Sequence, residues 1–135
     1  MYAERYPAVA DDRWQVIANG YDEGNFRDAL GAADSGVAPA GGSPRRLVHA
    51  GVLYPSERDP SAFFDAVRRL KDAGRIGPRR VRIVLRATGH DALYGPRLRA
   101  AGIDDVVELA PPVAYREALA EMLDADGLLV FQAAE

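Results

Sequence analysis

From Arg46 onward, continuous apolar runs alternate with stretches in which apolar residues recur every three or four positions. The runs "RLVHAGV" (Arg46 to Val52), "VRIVLRA" (Val81 to Ala87), "VVELA" (Val106 to Ala110) and "GLLVFQA" (Gly127 to Ala133) predict strands. Between them, Phe63, Val67 and Leu70 share a helical face while Asp65, Arg68, Arg69 and Asp72 fall elsewhere. Leu93, Leu98 and Ala101 predict a second helix, interrupted near Gly95-Pro96, and Tyr115, Ala118, Leu119, Met122 and Leu123 a third that ends at Asp126-Gly127. The first, second and fourth runs are apolar on both faces, as strands covered on both sides must be. Strand and helix alternate, so the predicted fold class is α/β, a Rossmann-like parallel sheet with flanking helices.

The first third of the chain lacks that rhythm. "WQVIA" (Trp14 to Ala18) predicts a short strand stopped by Asn19-Gly20, a pair that tolerates positive φ, and a brief helix is expected from Glu23 to Leu30. Gly31 to Pro44, "GAADSGVAPAGGSP", carries too little apolar surface to offset its ordering entropy and is expected to be a flexible Gly/Ala/Pro loop. Two units are therefore expected: 1–45, a connecting segment, and 46–135, a partial Rossmann-like domain.

Composition narrows the function classes. With 135 residues the chain suits one core, since a chain near this length buries roughly two-thirds of its unfolded surface. Its 17 basic residues against 20 acidic ones are scattered rather than massed, which disfavours a nucleic-acid partner. The absence of cysteine excludes disulfides and thiolate metal sites, and the only histidines, His49 and His90, are too far apart for a helical metal motif. No metal is expected. No apolar run approaches the roughly 20 residues that span a bilayer, and the amino terminus lacks a hydrophobic signal core, so a cytoplasmic location is expected.

Candidate chemistry gathers where the strands end, because open parallel sheets bind ligands outside the carboxyl ends of their strands. After the first strand, Gly51 permits close backbone approach, Asp59 is a suitable N-cap and Pro60 suits the first helical position. Asp59 would satisfy the helix amides itself and repel a phosphate, so Arg58 must supply any attraction for an anion. After the second strand, Gly89 and His90 offer a close approach and a donor, and after the third, Pro111 and Pro112 lead to Val113. Arg86 interrupts an apolar strand and needs a partner; His49 is expected to be a core histidine bonded to backbone. The Pro-Arg-Arg runs before the first and second strands read as solvated charges at the opposite edge. The chain has no nucleophile elbow, Walker loop or G-x-G-x-x-G.

Taken together, "VIANGYDEGNF", "LVHAGVLYPSERDPSAFFDAVRRL", "VRIVLRATGHD" and "VVELAPPVAYREALAEMLDADGLLVFQ" resemble, in order and spacing, the carboxyl-terminal half of family 4 glycosyltransferases of the GT-B fold. The resemblance spans nearly the whole chain. It implies an incomplete donor domain, with Asn19, Gly20 and Asp22 at the crossing from an amino-terminal acceptor domain. It places Gly51 and Arg58 against the diphosphate of a nucleotide sugar, and Gly89, His90 and Val113 around the nucleoside. The implied reaction is hexosyl transfer from a nucleoside-diphosphate sugar to an acceptor hydroxyl, with no cofactor and no metal. The family's paired glutamates would lie after the fourth strand, beyond Glu135, so the catalytic residues are unknown and the chain alone is expected to be inactive. The first loop also carries only Arg58 where the family usually has an arginine and a lysine. Expected partners are the nucleotide sugar, the acceptor domain and a second copy paired through the edge strand Gly127 to Ala133. The alternative is a receiver-like or scaffold α/β module for protein partners; a receiver needs clustered acids after its first strand, and Glu57 and Asp59 lie too far down the loop.

Overall fold

A computed structural model of the chain describes residues 2–33 and 42–133. Its centre is a four-stranded, all-parallel sheet of order β3-β2-β1-β4, built from β1 (Arg45–Ala50), β2 (Val81–Arg86), β3 (Val107–Ala110) and β4 (Gly127–Leu128). The helices are α1 (Tyr2–Arg5), α2 (Glu23–Ala33), α3 (Ser61–Asp72), α4 (Asp91–Ala100) and α5 (Tyr115–Leu123), with a 3-10 turn at Asp11–Arg13. This is the Rossmann-like α/β arrangement that the alternation predicts.

The period of two within each strand assigns its side chains to faces. Leu47, Ile83, Leu85 and Val107 pack with Phe64 and Val67 of α3, Tyr94 and Leu98 of α4, and Leu53, Ile103 and Val106. On the other face Val48, Val84 and Ala110 pack with Met122 and Ala125 around α5. Full burial of a Val, Leu, Ile, Phe or Met side chain contributes about 1.5 to 3 kcal/mol. Helix α2 covers α5 from outside, where Asp28 pairs with Arg116 at 2.6 Å and Ala29 is buried. Tyr94, fully buried, donates its hydroxyl to the Leu53 carbonyl at 2.8 Å and ties the segment after β1 to α4.

Several expectations are corrected. Residues 14–18 form no strand: they pair with neither edge strand of the sheet, β3 or β4, and Val16 and Ile17 remain 94% and 85% exposed. A strand without a neighbour leaves its amides to water. The helix expected to stop at Leu30 runs on to Ala33, into the stretch assigned to a loop, while residues 34–41 of that loop lie outside the described residues. Helix α4 passes through Gly95 and Pro96 without a break; a proline removes one hydrogen bond, and the burial of Tyr94 and Leu98 on either side holds the turn together. The buried faces also shift by one position, to Phe64 with Val67 in α3, leaving Leu70 exposed, and to Tyr94 in place of Leu93 in α4.

The strand expected over residues 127–133 is a two-residue ladder, Leu47 opposite Gly127 and Val48 opposite Leu128, extended by one bond from the Leu129 amide to the Val48 carbonyl at 2.8 Å. Gly127 lets the strands approach closely: an added Cβ would lie 3.0 Å from Leu47 Cδ2 and would push that side chain aside. The outer edge available for pairing with a second copy is correspondingly shorter than the sequence suggests.

Candidate functional site

The strand order fixes where a site can form. From β1 the chain moves through α3 to β2 and through α4 to β3, then returns through α5 to the far side of β1. Connections therefore leave β1 on one face and enter β4 on the other, and the two strands part at their carboxyl ends: a topological switch point. A groove of about 620 Å³ opens there, lined by Val48, His49, Ala50, Arg58, Met122 and residues 128–133. A second hollow of about 330 Å³ adjoins it, between Gly51, Arg86, Ala87, Val113 and the side chains Tyr115, Ala118, Leu119 and Met122 of α5. Ala50 and Met122 line both.

Local sequence explains the walls. Gly51 has φ near +148°, which L side chains rarely adopt, and lets β1 turn while its amide still bonds the Arg86 carbonyl at 3.0 Å. The chain then folds into a tight turn in which the Glu57 and Arg58 amides both reach the Tyr54 carbonyl, at 3.2 and 2.8 Å. The N-cap of α3 is Pro60, one residue later than expected, and no side chain caps the helix; Asp59 stands just before it, its Oδ1 accepting the Ser61 amide at 3.1 Å and the Ser61 hydroxyl at 2.7 Å, with Arg97 at 3.7 Å. Asp59 thus meets the first amide of α3 and places a carboxylate beside that helix end, which leaves Arg58 as the cation of the turn. No carboxylate pairs with Arg58 among the described residues.

Arg86 has the partner that a guanidinium inside a strand needs. Its Nε and Nη2 grip the Glu121 carboxylate, the latter at 2.9 Å, and Nη1 bonds the Pro111 carbonyl at 2.6 Å. The two side chains are only 15% and 16% exposed. The bidentate bond from Arg86 holds the Glu121 carboxyl below its usual range, and Glu121 in turn raises the arginine. Glu121 is the residue that sequence reasoning missed, since nothing local marks which acid on α5 faces β2.

Of the sequence-predicted residues, Gly51 and Val113 meet in the smaller hollow and Arg58 lines the groove beside it. Gly89 and His90 line neither. They sit at the start of α4, where an added Cβ on Gly89 would lie 3.4 Å from Val52, and the His90 ring packs between Tyr54 and Tyr94 at 6.3 and 6.2 Å. The His90 amide bonds the buried Thr88 hydroxyl, which itself donates to Asp91. The arginines of the first Pro-Arg-Arg run lie at the amino edge, Arg45 on Asp126 at 2.6 Å and Arg46 on Asp124 at 2.5 Å, while Arg80 of the second reaches the Gly74 and Arg75 carbonyls, at 3.4 and 3.3 Å. Among the described residues no cluster of three or more His, Asp or Glu side chains is arranged to hold a metal ion, and no helix is long and apolar enough to cross a membrane.

The chain has no significant match among family models, curated proteins or solved structures.

Proposed function

We propose that the chain forms the donor-binding part of a glycosyltransferase and binds a nucleoside-diphosphate sugar across the switch point. The observation that carries this reading is the position of Arg58, a guanidinium without a carboxylate partner among the described residues, on a 620 Å³ groove where an open parallel sheet binds ligands. The diphosphate lies against Arg58. The nucleoside takes the adjoining hollow, where apolar Val113, Leu119 and Met122 offer a face for a base and Gly51 lets backbone approach.

Transfer breaks the bond between the anomeric carbon and the diphosphate, and charge accumulates on the leaving group in the transition state. A cation already in place lowers that barrier with little reorganisation, which is the role assigned to Arg58, and the reading calls on no divalent ion. The exposed apolar side chains at Val16 and Ile17 suit a surface that a further domain covers, in keeping with an acceptor-binding partner.

Titration with UDP, GDP and ADP, followed by amide shifts, tests the reading. Shifts are expected in residues 50–58, 113 and 128–133; shifts confined to the amino edge, or none at millimolar ligand, would sink it and favour a scaffold for protein partners.

A further inference from the structure

His49 lies within β1 and is 9% exposed. Its Nδ1 is 3.0 Å from the Leu129 carbonyl oxygen. A carbonyl can only accept, so in the neutral ring Nδ1 carries the proton and Nε2 presents a bare lone pair. That Nε2 is the one buried side-chain polar atom without a hydrogen-bond partner among the described residues. An orphan of this kind is costly, and an aromatic hydrocarbon in the same slot would avoid it.

The unmet nitrogen faces the carboxyl edge. A Cβ placed on Gly51 would sit 3.8 Å from Nε2, which puts that nitrogen beside the carboxyl end of β1. His49 lines the switch-point groove together with Arg58. Phe131, another lining residue, meets the imidazole edge-on with ring centroids 5.0 Å apart, and is itself braced on Phe63.

Resting on the reading that this groove takes an anionic ligand, we propose that His49 Nε2 is the second anchor of the groove and accepts a hydrogen bond from a ligand hydroxyl while Arg58 holds the anion. The lone pair selects a donor. Beside a guanidinium a second cation is repelled, which leaves neutral donors, and the hydroxyl is the one that sugar phosphates and nucleotide sugars carry. Nε2 is closed to solvent in the free chain, so a ligand reaches it only as the packing around the imidazole, Phe131 included, gives way.

The test is imidazole nitrogen NMR on the full chain, titrated separately with UDP-glucose, glycerol phosphate and inorganic diphosphate. The free protein should show the Nδ1–H tautomer at His49. A hydroxyl-bearing probe should move the Nε2 resonance and leave Nδ1 in place, whereas diphosphate should move neither. In His49→Asn, whose amide keeps the donor toward Leu129 and lacks Nε2, affinity for the hydroxyl-bearing probe should fall about tenfold and that for diphosphate should hold within about twofold. An Nε2–H tautomer in the free chain, an Nε2 resonance unmoved by every probe, or an equal loss for diphosphate overturns the proposal. Glycerol phosphate moving Nε2 while UDP-glucose fails to bind would remove the donor reading and keep this one; UDP-glucose shifting the Arg58 amide with Nε2 unmoved would do the reverse.

Discussion

Arg45 and Arg46, at the amino edge of the sheet, meet Asp126 at 2.6 Å and Asp124 at 2.5 Å, whereas Arg58, past the carboxyl end of the same strand, meets no carboxylate among the described residues. Arg86 stands between these cases: it reaches the carboxyl edge and is locked to Glu121. Equal residue types thus carry unequal duties according to which acid the fold brings to them. At the amino end of β1 both arginines meet acids; past its carboxyl end the one arginine faces a groove, and Arg86 beside it is held for structure. Asp126 follows the same logic, its carboxyl kept below the ordinary range first by the Arg46 amide and then by Arg45.

The largest test of that contrast removes the acid behind Arg86. Glu121→Ala leaves a largely buried guanidinium with only the Pro111 carbonyl, and should cost about 3 kcal/mol of folding stability in denaturant titration. A cost below about 1 kcal/mol, the range of exposed pairs, would mean that both edges treat their paired arginines alike. Next comes Arg58→Ala, which should weaken binding of a nucleoside diphosphate by about 2 kcal/mol with folding nearly unchanged. An equal loss for the free nucleoside would make Arg58 structural and erase the contrast.

Acid offers a smaller effect with a defined sign. The Glu121 carboxyl is depressed below its ordinary value near 4.5, so its contribution is fully present above that pH and is lost as pH falls through the lower, folded value. Stability should therefore decline below about pH 4.5, and Glu121→Gln should flatten part of the decline, leaving the part due to Asp126. The smallest effect is expected from Arg82→Ala: its pairing with Glu108 is about half exposed, and thermal melts should report a loss of about 0.5 kcal/mol with no change in ligand binding.

Local pattern made β1, β2, α3 and α5 legible, because apolar runs and period-four spacing record burial directly. It misled where partners decide. "WQVIA" reads as a strand, yet it joins neither open edge of the sheet, and Val16 and Ile17 stay exposed. Pro96 reads as a break, yet Tyr94 and Leu98 hold the turn around it. The need of Arg86 for a partner could be argued from the sequence; that the partner is Glu121, 35 residues away, could not, and the helix start expected at Pro60 falls one residue later. Nor could the groove itself, since it exists only because β4 returns to the far side of β1, bringing Leu129 to the His49 ring from 80 residues away.

The shortness of β4 bears on how the groove behaves in time. β1 and β2 are in register over six residues, from Arg45 with Val81 to Ala50 with Arg86, while β1 and β4 share two, helped by the Asp126 and Leu129 amides on the Arg46 and Val48 carbonyls. Local opening follows the weakest ladder, so the 127–133 wall should breathe without unfolding the rest of the sheet. In hydrogen exchange the Leu129 amide should open at a fraction of the global free energy, and the Ile83 amide, bonded to Val106 at 2.8 Å in the core, near the whole of it. A ligand spanning Arg58 and His49 would latch that wall shut, raising protection at Leu129 and leaving Ile83 as it was, so that part of its affinity is given up to ordering an element the fold leaves loose.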